Sequence, residues 1–219
     1  MLYIVTGLIG IALWAIYYLL SFITKKYLVK DKKILSYFVP LIASIVPTFV
    51  ILAIKNNWSL HFENMLDLEY WGAILLAVAV SSALTIVFSP SQSKIEPMEL
   101  SMRCLHGGFM EIPERMMMQN FLVIMLVVFN LEAKHAVVIT AVVLAIGIII
   151  ESIINKDKNY KSIAIKVLSS VIFSLLVGHV YFFTDAIIYC IVGHIIERFI
   201  SNIFYIRKKF TEEGYEYKE

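Results

Sequence analysis

Residues 136–154 read AVVITAVVLAIGIIIESII, a stretch in which Glu151 is the single charged side chain. The hydrocarbon core of a bilayer is about 30 Å thick, and a helix needs about 20 predominantly apolar residues to cross it. A backbone in lipid must satisfy its own amide and carbonyl groups, which a continuous helix does. This stretch therefore predicts a membrane-spanning helix.

The composition of the whole chain points to the same class of protein. Of the 219 residues, 60% are hydrophobic and 16% are charged, whereas soluble domains average about 45–50% apolar and about 25% charged residues. These values exclude a water-soluble globular enzyme, a disordered chain and a nucleic-acid binder, so we expect no nucleic-acid partner. Cys104 and Cys190 both lie in apolar stretches and are interpreted as buried thiols rather than as a disulfide framework.

Six further stretches resemble membrane spans, although 99–131 is longer than one crossing and polar in its first half. We therefore predict an all-α fold, a polytopic membrane helix bundle with about seven transmembrane helices. The first three helices belong to an N-terminal part, 1–98, which is followed by a helical core, 99–206, and a cytoplasmic tail, 207–219. The predicted spans are 2–23, 36–54, 71–89, 99–131, 136–154, 163–183 and 186–206.

Basic connections alternate with non-basic ones along the chain. The segment 24–35 carries five lysines against one aspartate, whereas 55–70 carries one lysine against three acidic residues. Lysines recur in 155–162, while the turns around Lys134 and Asp185 are poor in positive charge. The positive-inside rule then predicts a multi-pass protein of the plasma membrane, with the N-terminus outside and the C-terminus cytoplasmic. Because lysines follow the first span instead of preceding it, we interpret this span as a retained anchor. High Ile, Lys and Asn usage suggests a bacterial membrane.

Two groups of polar side chains fall inside predicted spans, where an ionisable residue costs about 2.5–3.5 kcal/mol at the helix centre. One group is HGGFMEIPERMMMQN, residues 106–120, and the other is GHIIERFISN, residues 193–202. Pro113 predicts a kink or a restart of the first helix. Two interpretations stay open, a buried ion-pair network that joins two helices and a hydrolytic centre at membrane depth. Three pairs are four residues apart and therefore share a helical face: Glu111 with Arg115, Arg115 with Gln119, and His194 with Arg198.

The pattern resembles the CPBP family of intramembrane proteases, which includes the CAAX prenyl endopeptidases and the bacteriocin-immunity (Abi) proteins. That family carries EExxxR followed by Gly, then FxxxH, then HxxxN, on separate helices of an all-helical bundle. The resemblance covers 106–206 and is best in FSLLVGHVYFFTDAIIYCIVGHIIERF, where His194 takes the histidine position and Arg198 stands where the family has Asn or Asp. The resemblance implies that the first Glu and the FxxxH histidine activate a water and that the HxxxN pair supports the oxyanion.

The first family motif can be aligned with this sequence in two ways. In the alignment that we prefer, Glu114 is the water-activating carboxylate, Arg115 replaces the second Glu and Gln119 replaces the Arg. In the other alignment, Glu111 and Arg115 form the bracing pair, and Met110 stands at the water-activating position. The resemblance thus implies Glu114 and His194 as candidate catalytic residues, with Glu111, Arg115, Gln119 and Arg198 in supporting positions.

The middle family motif is missing its histidine. Leu144 and Ile148 stand at its Phe and His positions, and no histidine occurs in 136–152. A catalytic metal would need about three protein ligands, so the cofactor is left unknown, with zinc a possibility for an active enzyme and His179 and His106 as weak candidate ligands. A carboxylate without a partner in an apolar site holds a proton instead of activating water.

Three functions follow from these observations. The first is a divergent family member with a degraded peptidase site, which acts as a membrane scaffold, immunity or regulatory protein. Its partner would be another membrane protein or a membrane-bound peptide, in addition to membrane lipid. The second is an active intramembrane endopeptidase with a rebuilt site, either metal-dependent or glutamate-based. The third is a small transporter, although the sequence has no visible inverted repeat.

Overall fold

The computed structural model describes residues 1–30, 32–56, 67–88, 96–156 and 159–212, with the side chains of the last helix described as far as Ile203. Within these ranges every regular element is a helix, as the composition predicts. Some of the sequence used to predict orientation and the tail lies outside the described residues. These positions are 31 in the lysine-rich segment, 57–66, 89–95 and 157–158 in three other connections, and 213–219 at the end of the chain.

Within the described residues, six of the seven predicted spans correspond to one long helix each, with ends that differ by a few residues. The stretch 99–131 contains two α-helices separated by a π-helical segment, and the last helix continues to Glu212, into the predicted tail. The elements are α1 (Leu2–Ile23), a π-helical extension (Thr24–Val29), α2 (Lys33–Ser36), α3 (Val39–Lys55), α4 (Leu68–Phe88), α5 (Pro97–Glu111), the π segment (Ile112–Gln119), α6 (Asn120–Val128), α7 (His135–Ile154), α8 (Tyr160–Thr184) and α9 (Ile187–Glu212).

Four helical stretches are long and apolar enough to cross a membrane, and α3 is apolar but has 17 residues. Many large apolar side chains on these helices are exposed, such as Val46 and Ile153 at 71% and 70%. Large exposed apolar surfaces are rare on soluble monomers, and they indicate a membrane protein here. The four stretches are Leu2–Val29, Leu68–Phe88, His135–Ile154 and Tyr160–Thr184.

The π segment begins immediately before Pro113. A proline inside a helix removes a backbone hydrogen bond, and its ring clashes with the preceding turn. A π-helical turn is a wider arrangement that accommodates such a disturbance and is frequent at functional sites. The sequence predicted a kink or a restart at this proline, and the structure has a π-helical turn that keeps α5 and α6 connected.

Four long helices begin at the same end of the bundle. The Tyr3 hydroxyl of α1 lies 3.3 Å from Nδ1 of His135, the first residue of α7. The Tyr189 hydroxyl of α9 donates to the carbonyl of Asp67, just before α4, at 3.2 Å. We call this the Asp67 end. Val137 of α7 packs against Gly178 in the last turns of α8, just before α9, with Cγ1 3.3 Å from an added Cβ, so the two pairs of helix starts lie at the same end. Helices α1, α4, α7 and α9 therefore start here and run towards the opposite end.

The helices between them run in the opposite direction. Lys55 ends α3, and its Nζ lies 2.6 Å from Oδ1 of Asp185, which follows α8. Because α9 begins two residues after Asp185, this ion pair also lies at the Asp67 end. At the other end, Lys33 Nζ lies 3.1 Å from Oε2 of Glu99 in the first turn of α5. We call this the Lys33 end, and it carries the lysine-rich segment 24–35.

The aromatic residues of α1 fix its packing against α7. Trp14 and Tyr17 are buried, and their rings stack with centroids 4.8 Å apart. The indole lies directly over Gly147 of α7, where an added Cβ would lie 2.7 Å from Nε1 of Trp14. Glycine at this position therefore allows the two helices to approach closely.

Gly147→Ala is expected to destabilise the bundle, because a rigid indole cannot move aside as the end of a flexible side chain can. Overpacking of this kind costs about 1–3 kcal/mol. Gly72→Ala in α4 is the matched control, since nothing lies within 4 Å of the added methyl group, and alanine stabilises a helix interior by about 0.5–1 kcal/mol relative to glycine. Thermal unfolding of the detergent-purified protein measures both, and equal midpoints for the two variants would contradict the packing argument.

Candidate functional site

The two polar groups predicted from the sequence meet where α5 packs against α9. Nδ1 of His194 in α9 lies 2.6 Å from Oε1 of Glu111, the last residue of α5. The close approach depends on Gly107 of α5, where an added Cβ would lie 2.7 Å from Arg198 Cγ and 3.0 Å from His194 Cδ2. The contact joins residues that are 83 positions apart, so it is a tertiary constraint on the bundle.

Glu111 is also paired with Arg115 of the π segment. Arg115 Nε donates to Glu111 Oε2 at 3.0 Å, and both side chains are fully buried, with an exposed fraction of 0%. Arg115 Nη1 donates to Oε1 of Gln119 at 3.3 Å, and Gln119 Nε2 donates to the carbonyl of Gly178 in α8 at 2.8 Å. An added Cβ at Gly178 would lie 2.9 Å from Arg115 Nη1. We call Glu111, Arg115, Gln119 and His194 the ion-pair network, and it connects the π segment to both α8 and α9.

The hydrogen bonds of His194 assign its protonation. Arg198 Nε donates to His194 Nε2 at 3.2 Å. A guanidinium is a donor and never an acceptor, so Nε2 accepts this bond and the ring proton sits on Nδ1, from which it is donated to Glu111. The tautomer is thus inferred from the network of partners. Both ring nitrogens are used within the protein, which leaves neither one for a metal ion or for taking a proton from water.

Glu114 has different surroundings, because it faces a cavity of about 600 Å³. Its Oε2 lies 3.9 Å from Arg115 Nη2, which is longer than a hydrogen bond, and no described residue donates a hydrogen bond to this carboxylate. The cavity lies between α1, α4, α5, α7, α8 and α9. Exposed Glu151, Asn155 and Lys166 line it near the Lys33 end. The cavity therefore opens at that end and reaches down to Glu114.

A second polar contact group lies along the wall of this cavity. Glu197 Oε1 accepts from Ser201 Oγ at 2.9 Å and from Ser81 Oγ at 3.4 Å. The Ser81 hydroxyl in turn lies 2.7 Å from that of Ser169 in α8. Sequence reasoning did not single out Ser81 or Ser169, because serines are common and their spacing carries no signal. The bonds satisfy Glu197 within the protein and connect α4, α8 and α9.

The remaining candidates occupy scattered positions. His106 lines the cavity, and its Nδ1 lies 3.0 Å from the carbonyl of Tyr37. His179 is exposed on α8 and does not line the cavity, whereas Leu144 and Ile148 do. Among the described residues, no three His, Cys, Asp or Glu side chains are grouped as metal ligands. Glu114 and His194, the two candidate catalytic residues, both line the cavity, but they belong to different environments.

No family model, no curated protein and no solved structure matches this chain. The likeness to the CPBP family therefore stays a hypothesis that rests on the residues quoted above. Any functional conclusion has to be argued from the geometry around Glu111, Glu114 and His194.

Glu111→Ala is expected to cause a large loss of stability, because Arg115 would lose the only carboxylate that is hydrogen-bonded to it within the described residues and keep only the more distant Glu114, 3.9 Å from its Nη2. Removing one member of a buried ion pair costs about 3–5 kcal/mol. Glu114→Ala is the matched control, since the Glu114 carboxylate receives no hydrogen bond from the described residues, and its cost should be smaller by about 2 kcal/mol or more. The free energy of unfolding of the purified protein in a denaturing detergent measures both. Equal losses would show that the ion-pair network does not stabilise the bundle.

Proposed function

We propose that this chain is a CPBP-type multi-pass membrane protein that has lost peptidase chemistry and acts as a scaffold, immunity or regulatory protein. Its partner is another membrane protein or a membrane-bound peptide. The observation that supports this proposal is the state of His194, whose ring nitrogens are bonded to Glu111 and Arg198. A side chain in the position of a catalytic histidine therefore has a structural role.

The groups around His194 support the same conclusion. Both oxygens of Glu111 accept hydrogen bonds from the protein, so this carboxylate is not placed to take a proton from water. Leu144 and Ile148 line the cavity with apolar side chains at the positions where the family motif has Phe and His. A general base must lie within hydrogen-bonding reach of the proton that it removes, and neither of these positions provides one.

One observation favours a second candidate, a glutamate-based endopeptidase. Glu114 faces the cavity, and its carboxylate receives no hydrogen bond from the described residues. A cavity of about 600 Å³ has room for water and for a short peptide segment. In this alternative Glu114 alone acts as the general base that activates a water for attack on a peptide carbonyl.

A substitution of Glu114 separates the two candidates. Cells that carry wild-type protein or Glu114→Gln are compared by photo-crosslinking in the membrane and by mass spectrometry of newly formed protein termini. We expect the same crosslinked partner in both strains, still intact, because binding does not need a base at this position. Glu132→Gln, a carboxylate exposed between α6 and α7, is the control. New termini in membrane proteins that disappear in Glu114→Gln at normal protein level would establish the endopeptidase instead.

We also propose seven membrane crossings in the plasma membrane, with the Lys33 end in the cytoplasm. The alternating directions of the long helices and the lysines at the Lys33 end support this arrangement. The seven crossings are then the four longer apolar stretches, α3, the α5–α6 pair and α9.

Single cysteines at opposite ends test this topology. Native Cys104 and Cys190 are buried, so they give a low background with a membrane-impermeant thiol reagent. Glu132→Cys should react from outside intact cells, because Glu132 precedes α7 at the Asp67 end. Lys33→Cys should react in inverted vesicles alone. Reaction of both positions from the same side would overturn the proposed topology.

A further inference from the structure

The lysine-rich segment 24–35 follows α1 at the level where this helix leaves the membrane. Helix α1 has 22 residues, so it is about 33 Å long, which matches a bilayer core of about 30 Å. The π-helical extension Thr24–Val29 therefore begins among the lipid headgroups. This placement needs only that α1 crosses the membrane, and it is the same whichever side the Lys33 end faces.

Two hydrogen bonds and one buried side chain fix the shape of the turn that follows. The Lys30 N–H donates to the carbonyl of Lys25 at 3.0 Å, and the Lys32 N–H donates to the carbonyl of Val29 at 3.0 Å. The Val29 side chain is 1% exposed, so it anchors the turn to the bundle. The backbones of Lys25 and Lys30 are thus held beside each other where the chain reverses its direction.

Most lysines of this turn have no acidic partner among the described residues. Lys33 is paired with Glu99 of α5. The other lysines are exposed and form no ion pair within the described ranges: Lys25, Lys26, Lys30 and Lys32. We call these four the lysine surface. Like charges that are held this close repel one another, so the turn is favoured by an anion that binds to it.

Lys30 has a backbone conformation that lysine rarely adopts. Its φ is 45° and its ψ is −123°. This conformation strains a residue with a Cβ, whereas glycine adopts it readily. The turn therefore carries a positive charge at a position where glycine would suit the backbone better. The contribution of Lys30 to the fold does not account for this charge, which points to a function in binding.

An aromatic and an apolar side chain lie beside the lysine surface. Tyr27 and Leu28 are each 62% exposed, and Lys26 Nζ lies 5.2 Å from the centre of the Tyr27 ring. Tyrosine is enriched at the boundary between membrane and water, because its ring is apolar and its hydroxyl is polar. Lysines next to apolar side chains are typical of segments that lie in the membrane interface. A lipid surface therefore suits this turn better than a soluble acidic protein does.

We infer that the lysine surface binds the headgroups of anionic phospholipids, while Tyr27 and Leu28 enter the edge of the hydrocarbon. Clustered lysines directly after a membrane span are attracted to anionic lipids, and here the buried Val29 holds them at the level of the headgroups. This inference goes beyond the proposed function and does not depend on it. A headgroup binds to this turn whether or not the chain has a membrane partner or a peptidase activity.

Native mass spectrometry of the full chain tests the choice of lipid without any substitution. The detergent-purified protein is incubated with equal amounts of phosphatidylglycerol and phosphatidylcholine that have identical acyl chains. We expect about tenfold or more phosphatidylglycerol adducts, since each lysine near an anionic surface contributes about fivefold. Added salt should reduce this ratio, because it screens exposed charges. Equal numbers of the two adducts would overturn the inference and favour an acidic protein segment as the partner.

Paired substitutions assign the preference to this turn. Lys25→Gln combined with Lys30→Gln should lower the adduct ratio by about fivefold or more. Lys156→Gln combined with Lys161→Gln is the matched control and should keep the ratio, since these exposed lysines lie at the connection of α7 and α8 at the same end of the bundle. Equal losses in the two proteins would assign the preference to the net charge of the whole end and would overturn the inference.

Lys30→Gly separates the charge from the fold. Glycine relieves the strained backbone, so thermal unfolding in detergent should move to a higher temperature while the ratio of phosphatidylglycerol to phosphatidylcholine adducts falls. Lys156→Gly is the control, because Lys156 also has a positive φ, of 55°. This control should gain stability and keep the ratio. A Lys30→Gly protein with the wild-type ratio would show that this lysine does not hold a headgroup and would contradict the inference.

Discussion

The buried carboxylate of Glu111 determines how the rest of the bundle can pack. An unpaired charge cannot be tolerated in a low-dielectric interior, so the protein must bring cations or donors to both of its oxygens. Arg115 supplies one partner from the π segment, and His194 supplies the other from α9. Those contacts require backbones to approach closely at Gly107 and Gly178, where a Cβ would collide with the network. One ionic group thus sets the relative positions of α5, α8 and α9.

The same network argues against transport of protons through the bundle. A relay needs every member to accept a proton and release it again, and Arg115 stays protonated because a guanidinium does not give up its proton in proteins. Arg115 lies between Glu111 and Gln119, so a proton cannot pass along this chain of hydrogen bonds. The chain of hydrogen bonds ends at α8, where Gln119 donates to the carbonyl of Gly178. The arrangement therefore has the properties of a structural connection between helices.

The helices and the local pairs could be predicted from the sequence, because both depend on periodicity along one segment. Hydropathy located α7 almost to the residue, and a spacing of four placed Glu111 beside Arg115. The contact between Glu111 and His194 could not be predicted, since spacing within a helix does not reveal which faces of different helices meet. The contact of Ser81 with Glu197 was unpredictable for the same reason. The π-helical turn was foreseen as an irregularity at Pro113, but its form depends on the packing around it.

The two alignments of the first family motif each describe one part of what the π segment does. Glu111 and Arg115 contact one another as a bracing pair, which is the relation that the second alignment gives them. Glu114 lines the cavity, which is where the first alignment would need its carboxylate. The two glutamates are three residues apart, yet one is satisfied by the protein and the other is exposed to the cavity. The charge that stabilises the bundle, on Glu111, is therefore separate from the charge that faces the cavity, on Glu114. A change in the role of Glu114 is compatible with the same fold.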